Sequence, residues 1–349
     1  MKLKEKRDRS ILKVIGIVVG VIVALIVGVI IGAVVWYNNM LSPVDKGNDN
    51  AVIVNIQEGE SSVSIAQQLI DSGVIRSKQA FLIYMKFQSG DHIVQSGKHE
   101  LRPNMSVKDI LVRLSEAGMV DTFNVTFLPG GTLAEAKATL ILLGYEEDEI
   151  DAAFSKNYDH PVLKDKPKKA DLEGYLYGET YQFVVGATVE DIVLRCLDEL
   201  NKAIQTDDLE SKFKKQGLNL FQGIVLASII QREVNGLEDQ KQVAQVFLTR
   251  LKSHMLLGSD VTYQYIADKL GIERDYNLDN PYNTRRYPGL PPGPIAAPGL
   301  SALRALASPA KGDYLFFLSG DDDKTYFGRT NEEHQWNIDN HCKVKCSII

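Results

Sequence analysis

Cysteine is scarce in this chain: Cys196, Cys342 and Cys346 are the only three in 349 residues. A fold that depended on disulfides would carry more of them, in even number, so a disulfide scaffold is excluded. Cys342 and Cys346 can pair near the C-terminus, which leaves Cys196 as a buried thiol. No Cys/His cluster has ligand spacing; His334 and His341 lie near the last two cysteines without forming one. No metal and no cofactor is therefore expected. A basic excess is also missing, since 39 Lys and Arg against 45 Asp and Glu give a net charge of −6. Nucleic acid as a partner would want a basic face, so no nucleic acid is expected. Charged and apolar fractions are ordinary, and neither points to disorder.

Charge is absent altogether from Val14 to Trp36 (VIGIVVGVIVALIVGVIIGAVVW). About 20 apolar residues suffice to cross a hydrocarbon core about 30 Å thick, so residues 14–36 read as a transmembrane helix. Lys2, Lys4, Lys6, Arg7, Arg9 and Lys13 precede it, against Glu5 and Asp8. That bias places residues 1–13 in the cytoplasm and the rest of the chain outside it, as a single-pass protein of the cell membrane. Trp36 and Tyr37 stand where an interfacial aromatic belt belongs. A cleavable signal would have a shorter apolar stretch and a small-residue cleavage site, which Trp36-Tyr37-Asn38-Asn39 does not supply.

Residues 37–50, polar with Pro and Gly, read as a linker. Residues 51–120 then alternate elements: a strand at Ala51–Ile56, helical spacing through Ile65, Leu69 and Val74, a helix at Lys78–Phe87, a strand at Gly97–Leu101 and a helix at Ser106–Ala117. Ser106 and Asp109 form a capping-box-like pair. The pattern resembles a LysM-like module, which implies binding to the amino-sugar backbone of cell walls; a small α+β spacer fits it as well. The whole chain is thus expected to be α+β: a transmembrane helix, a LysM-like module, and a mixed α+β domain over residues 121–349, which the family resemblance given below makes the catalytic domain.

That last domain opens with a strand at Thr122–Phe127, a Pro129-Gly130-Gly131 turn and a helix at Leu133–Leu143. In the run Asp171-Leu172-Glu173-Gly174-Tyr175-Leu176-Tyr177-Gly178-Glu179-Thr180-Tyr181 acids and tyrosines interleave. Tyrosine faces stack on sugar rings and carboxylates bind their hydroxyls, although an ordinary strand–turn–strand surface has the same composition. Leu220–Gly236 (LFQGIVLASIIQREVNG) predicts a helix from about Gln222 to Val234, stopped by Asn235-Gly236. Glu233 lies seven residues after Leu226, four after Ile229 and three after Ile230, so it projects from an apolar stripe. Desolvation and the negative end of the helix both push its pKa upward, as a general acid working near neutrality requires. Neutralisation by Arg232 or a distant cation is the blander reading. Glu238 and Asp239 read as solvated, and Val243–Lys252 as an amphipathic helix. The stretch Pro288–Gly299, stiffened by five prolines, suits one wall of a binding groove or a plain connection. Leu300–Ala307 reads as a helix and Tyr314–Ser319 as a buried strand.

The series ASIIQRE, SDVTYQY, YNT and GLPPGPIAAPG, preceded by EGYLYGETY, resembles the YceG-like family of endolytic murein transglycosylases. The likeness covers nearly the whole chain after residue 50. It implies an enzyme that cleaves peptidoglycan glycan strands internally, between N-acetylmuramic acid and N-acetylglucosamine, leaving a 1,6-anhydro-muramyl end. It places the catalytic acid on Glu233. Glu173, Tyr181, Asp260, Thr262, Tyr263, Tyr282, Asn283 and Thr284 are the expected substrate-binding residues. It also implies work beside wall synthases of the elongation or division machinery. The chain departs from the family pattern at Gln231, where a second Glu is common, at Gly178-Glu179 in place of Pro-Asp, and at Leu128-Pro129-Gly130-Gly131 in place of a Pro-Glu-Gly turn. Tyr326-Phe327 and Glu333-His334 match its C-terminal elements. Two rivals stay open: a lysozyme-like muramidase using Glu173, Glu179 or Asp260 as nucleophile, and a non-catalytic wall-binding partner.

Overall fold

The computed structural model describes residues 2–88 and 94–347, with side chains for 17–87 and 94–346. The side chains of the basic segment 1–13 lie outside the described residues. The chain divides into two compact units, Met1–Asp121 and Thr122–Ile349.

The first unit begins with α1 (Lys2–Leu41), in which Ile17–Leu41 is long and apolar enough to cross a membrane and is not buried by the rest of the chain. The helix is continuous past Trp36, five residues beyond the expected end at 36, because nothing before Ser42 breaks it. Next come β1 (Val52–Ile56), α2 (Ser62–Asp71), α3 (Lys78–Gln88), β2 (Gly97–Leu101) and α4 (Val107–Ser115). β1 and β2 pair antiparallel, Val52 opposite Leu101 and Ile56 opposite Gly97. Val54, Ile56, Ile65, Leu69, Phe81, Leu101, Ile110 and Leu114 bury the faces that the strands and helices share. Ser106 and Asp109 close a reciprocal capping box at the start of α4.

The second unit runs β3 (Thr122–Thr126), α5 (Leu133–Leu142), α6 (Glu147–Ser155), β4 (Thr180–Val184), α7 (Val189–Thr206), α8 (Leu209–Lys215), α9 (Leu220–Glu233), α10 (Leu237–Lys252), α11 (Asp260–Leu270), α12 (Leu300–Ala307), β5 (Phe316–Ser319), β6 (Thr325–Gly328) and α13 (Asn331–His341). β3 pairs antiparallel with β4, and β5 with β6. A helix apolar on every side must lie inside, and α9 does: from Leu220 to Ile230 every residue but Gln222 is buried. α8, α10, α11 and α12 pack around it. Gly223 lets α8 come close, since a Cβ there would lie 2.3 Å from the ring of Phe213. α9 starts two residues before the expected Gln222, because Asn219 caps it and the Gln222 side chain bonds back to the Asn219 amide.

Two segments lie deeper in this unit than their composition implies. The tyrosine-rich run is not a plain strand–turn–strand surface: Leu172 to Tyr177 form a buried irregular segment, with Tyr175 fully enclosed, before Thr180 and Tyr181 open β4. Composition could not separate the two, because a tyrosine is amphipathic and suits core or surface. The proline-rich stretch is likewise built into the interior at Ile295, Ala296 and Ala297, where Gly130 and Gly131 exchange backbone hydrogen bonds with Ala297 at 2.7 and 2.8 Å. Cys342 and Cys346 form a disulfide and Cys196 is a buried free thiol.

Candidate active site

α9 ends with three consecutive polar side chains that diverge. Gln231 Oε1 accepts a hydrogen bond from the Gly299 amide at 3.1 Å, at the N-terminus of α12. Arg232 donates to the Gly130 carbonyl at 3.1 Å. Glu233 turns into a cavity of about 750 Å³ lined also by Arg250, Leu257, Asp260, Arg285, Phe316 and His334. Gln231 thus ties α9 to the proline-rich stretch and does not line the Glu233 cavity.

Glu233 keeps part of its side chain open to the cavity, but protein crowds its carboxyl group. Ser259 Oγ donates to Glu233 Oε1 at 2.5 Å. Burial raises its pKa from 4.5 to about 7; the Ser259 bond and the Arg250 charge pull against that rise and the Asp260 charge adds to it. Arg250 is itself largely buried, and its guanidinium donates to the Leu315 and Leu257 carbonyls at 2.6 and 2.7 Å. Asp260 is held by Arg285.

Ser259 stands at the N-cap of α11 and makes no side-chain cap. An N-cap serine ordinarily accepts from the first turn of its helix; here the hydroxyl is committed to Glu233 instead. The backbone around it is held from behind. The Ser259 amide donates to Thr284 Oγ1 at 3.1 Å, Thr262 Oγ1 donates to the Ser259 carbonyl at 2.7 Å, and the two threonine hydroxyls meet at 3.0 Å. Asn283 is fully buried and donates to the carbonyls of Tyr276 and Leu278, both at 2.9 Å.

Of the expected substrate-binding residues, the structure brings only Asp260 into the cavity of Glu233. Tyr263 lines an adjacent cavity of about 660 Å³ with Arg274 and Tyr276, and the two cavities share Asp260 and Lys345. Thr262, Asn283 and Thr284 are buried and support the Ser259 segment, and none of the three lines the Glu233 cavity. Tyr181 is a core residue whose hydroxyl donates to the Tyr177 carbonyl at 2.6 Å. Tyr282 packs against Tyr265 with ring centroids 5.5 Å apart. Glu173 is 3% exposed and takes hydrogen bonds from the Leu133 amide and the Tyr265 hydroxyl, both at 2.9 Å. Burial raises its pKa to about 7 as well, yet it lines two other cavities, of about 530 and 630 Å³, that Glu233 does not. Sequence reading missed Ser259 and Arg250. Ser259 stood in the sequence only as one polar residue of SDVTYQY, and its bond to Glu233 spans 26 residues.

Among the described residues, no group of three His, Cys, Asp or Glu is placed to hold a metal ion. The fold and cavity therefore define a mixed α+β protein with an apolar N-terminal helix and a crowded carboxylic acid at the end of a buried helix. Residues 54–340 match the YceG-like family, and the chain belongs to it. It is 31% identical over 313 residues to the endolytic murein transglycosylase of Bacillus subtilis (strain 168), covering 85% of this chain and 86% of that protein. It is 28% identical to the endolytic murein transglycosylase of Streptococcus pneumoniae (strain R6), spanning 87% of this chain but 61% of that longer protein. A crystal structure of a YceG-like protein from Listeria monocytogenes superposes with a TM-score of 0.53 at 28% identity, covering 82% of this chain and 99% of that one.

Proposed function

We propose that this protein is an endolytic murein transglycosylase of cell wall synthesis. It cuts nascent glycan strands between N-acetylmuramic acid and N-acetylglucosamine and leaves 1,6-anhydro ends. The observation that carries the reading is Glu233: a carboxyl group held near neutrality by burial, aimed by Ser259 and opening on a cavity of about 750 Å³. Protonated Glu233 gives its proton to the glycosidic oxygen as the bond breaks. The substrate's own acetamido group stabilises the charge at the anomeric carbon, so no protein nucleophile is required. Glu233, now a carboxylate, takes the proton from the C6 hydroxyl as it closes the anhydro ring, and a crowded site favours that intramolecular attack over water. Asp260, with Tyr263 in the adjoining cavity, orients the sugars.

A lysozyme-like hydrolase needs a second carboxylate about 5 Å away on the same cavity. Glu173 and Glu179 do not line it; Asp260 does, but pairs with Arg285. Mass spectrometry of digested, uncross-linked strands should give muramyl ends lighter by one water than hydrolysis products, and reducing ends would overturn the lyase reading. Ser259→Ala tests the aim of the acid. Losing the hydrogen bond removes an influence that lowers the pKa, so the alkaline limb of the pH–rate profile should move up by roughly half to one unit while kcat falls about tenfold. An unchanged profile would show that Ser259 does not act through Glu233.

The first unit fits the same reading as a LysM-like module, supported by the strand–helix–helix–strand order and antiparallel β1/β2 pairing. With α1 as an uncleaved anchor, its N-terminus cytoplasmic, the enzyme would be held at the outer face of the membrane, beside the wall synthases of elongation or division. Protease accessibility in intact spheroplasts tests that orientation: degradation of the second unit from the outside is the expected result.

A further inference from the structure

His334 has no part in the chemistry above, yet its ring lines the cavity of Glu233. α13 holds it in its first turn, where the His334 amide bonds the Thr330 carbonyl at 3.0 Å. The imidazole stacks on Phe316 with centroids 5.1 Å apart and planes inclined by 21°, and the Arg250 guanidinium lies 5.3 Å from the centre of the same Phe316 ring. Nδ1 is buried without a hydrogen-bond partner. Among the described residues no protein group bonds Nε2 either, and this second nitrogen is not among the enclosed unpartnered atoms. It therefore opens where the ring lines the cavity.

Burial, and then the positive charge of Arg250, lower the His334 pKa below its ordinary 6.5, so the ring is neutral at working pH. A neutral imidazole carries one N–H. Leaving that donor on enclosed Nδ1 would cost more than leaving an acceptor there, so the proton belongs on Nε2. The cavity that holds the acid thus presents an uncharged N–H donor that nothing in the protein uses. Arg250, the strong cation of the same wall, commits Nε and Nη1 to the Leu315 and Leu257 carbonyls.

We propose that His334 is a substrate-positioning residue, donating its Nε2–H to an uncharged oxygen, acetamido carbonyl or hydroxyl, of the glycan strand beside Glu233. This rests on the reading of the cavity as the glycan site. The test uses the full-length protein in detergent micelles, in a Glu233→Gln background so that binding is measured without turnover. Purified uncross-linked glycan strands of defined length are the probe. His334→Phe keeps a ring to stack on Phe316 and removes the donor; it should weaken strand binding about tenfold, the size of one hydrogen bond. His334→Gln can return an N–H near the Nε2 position and should bind within about threefold of the parent, whereas His334→Asn, whose amide falls near Nδ1, should resemble His334→Phe. In the Glu233 enzyme, His334→Phe should raise KM more than it lowers kcat. Parental binding by His334→Phe overturns the proposal. So does equal binding by the Gln and Asn variants, a comparison that stands even if the Phe variant does not fold. Cleavage by Glu233→Gln itself would instead overturn the assignment of the acid, and strand binding would still report on His334.

Discussion

Glu233→Gln should abolish cleavage of purified glycan strands while the protein stays folded. The replacement is close to isosteric, and its carbonyl oxygen can still accept the Ser259 hydrogen bond now made to Oε1 at 2.5 Å. What disappears is the proton, and a missing general acid costs about 10²–10⁴ in rate. In the proposed mechanism the same group also acts as base, so the upper end of that range is expected. Stability should move the other way. Burial lifts the Glu233 pKa from 4.5 to about 7, so the folded state binds the proton more tightly than the unfolded one. Stability then falls as pH rises from about 4.5 through 7, and the penalty is fully present above that. Gln carries no such penalty. The variant should be more stable than the parent at pH 8, by about 1–3 kcal/mol, with the gap closing at pH 4. Strand-end analysis and calorimetry at the two pH values check both halves. Retained cleavage would remove Glu233 from the mechanism. A variant less stable than its parent at pH 8 would show that the carboxyl group is not held against its own charge.

The helices were legible wherever local chemistry decides them. Ser106 with Asp109 was visible as a capping pair, and the apolar stripe before Glu233 announced a buried acid three residues after Ile230. Legibility failed where the answer depends on which distant segments meet. Ser259 is one polar residue among several in SDVTYQY, and only the fold shows its hydroxyl committed to Glu233. Thr262, Asn283 and Thr284 carry polar groups that suit sugar contacts equally well in sequence, but the fold uses all three to hold backbone. Glu173 is the hardest case. It shares burial and a raised pKa with Glu233, and what differs is its enclosure by Leu133 and Tyr265, away from the Glu233 cavity.

The buried tyrosine-rich run makes a second large effect predictable. Gly174 has φ of +85°, and a Cβ there would lie 2.5 Å from Pro294 Cβ and 2.7 Å from its Cγ. A side chain in that conformation costs about 1 kcal/mol by itself. The overlap adds more, because a proline ring cannot rotate away and Pro294 is anchored by buried Ile295, whose amide donates to Ser228 Oγ on α9 at 3.1 Å. Together about 3–5 kcal/mol is expected for Gly174→Ala, lowering the melting temperature by roughly 6–15 °C. Gly144→Ala is the control: its φ is +94°, but no atom lies within 4 Å of the added Cβ. It should show the conformational cost alone, a shift of roughly 2–4 °C. Equal shifts would mean that the run containing Glu173 is not locked against the proline-rich stretch. A much larger shift for Gly174→Ala would show that the two motifs form one interior joint, tied to α9 through the Ile295 amide and Ser228 Oγ.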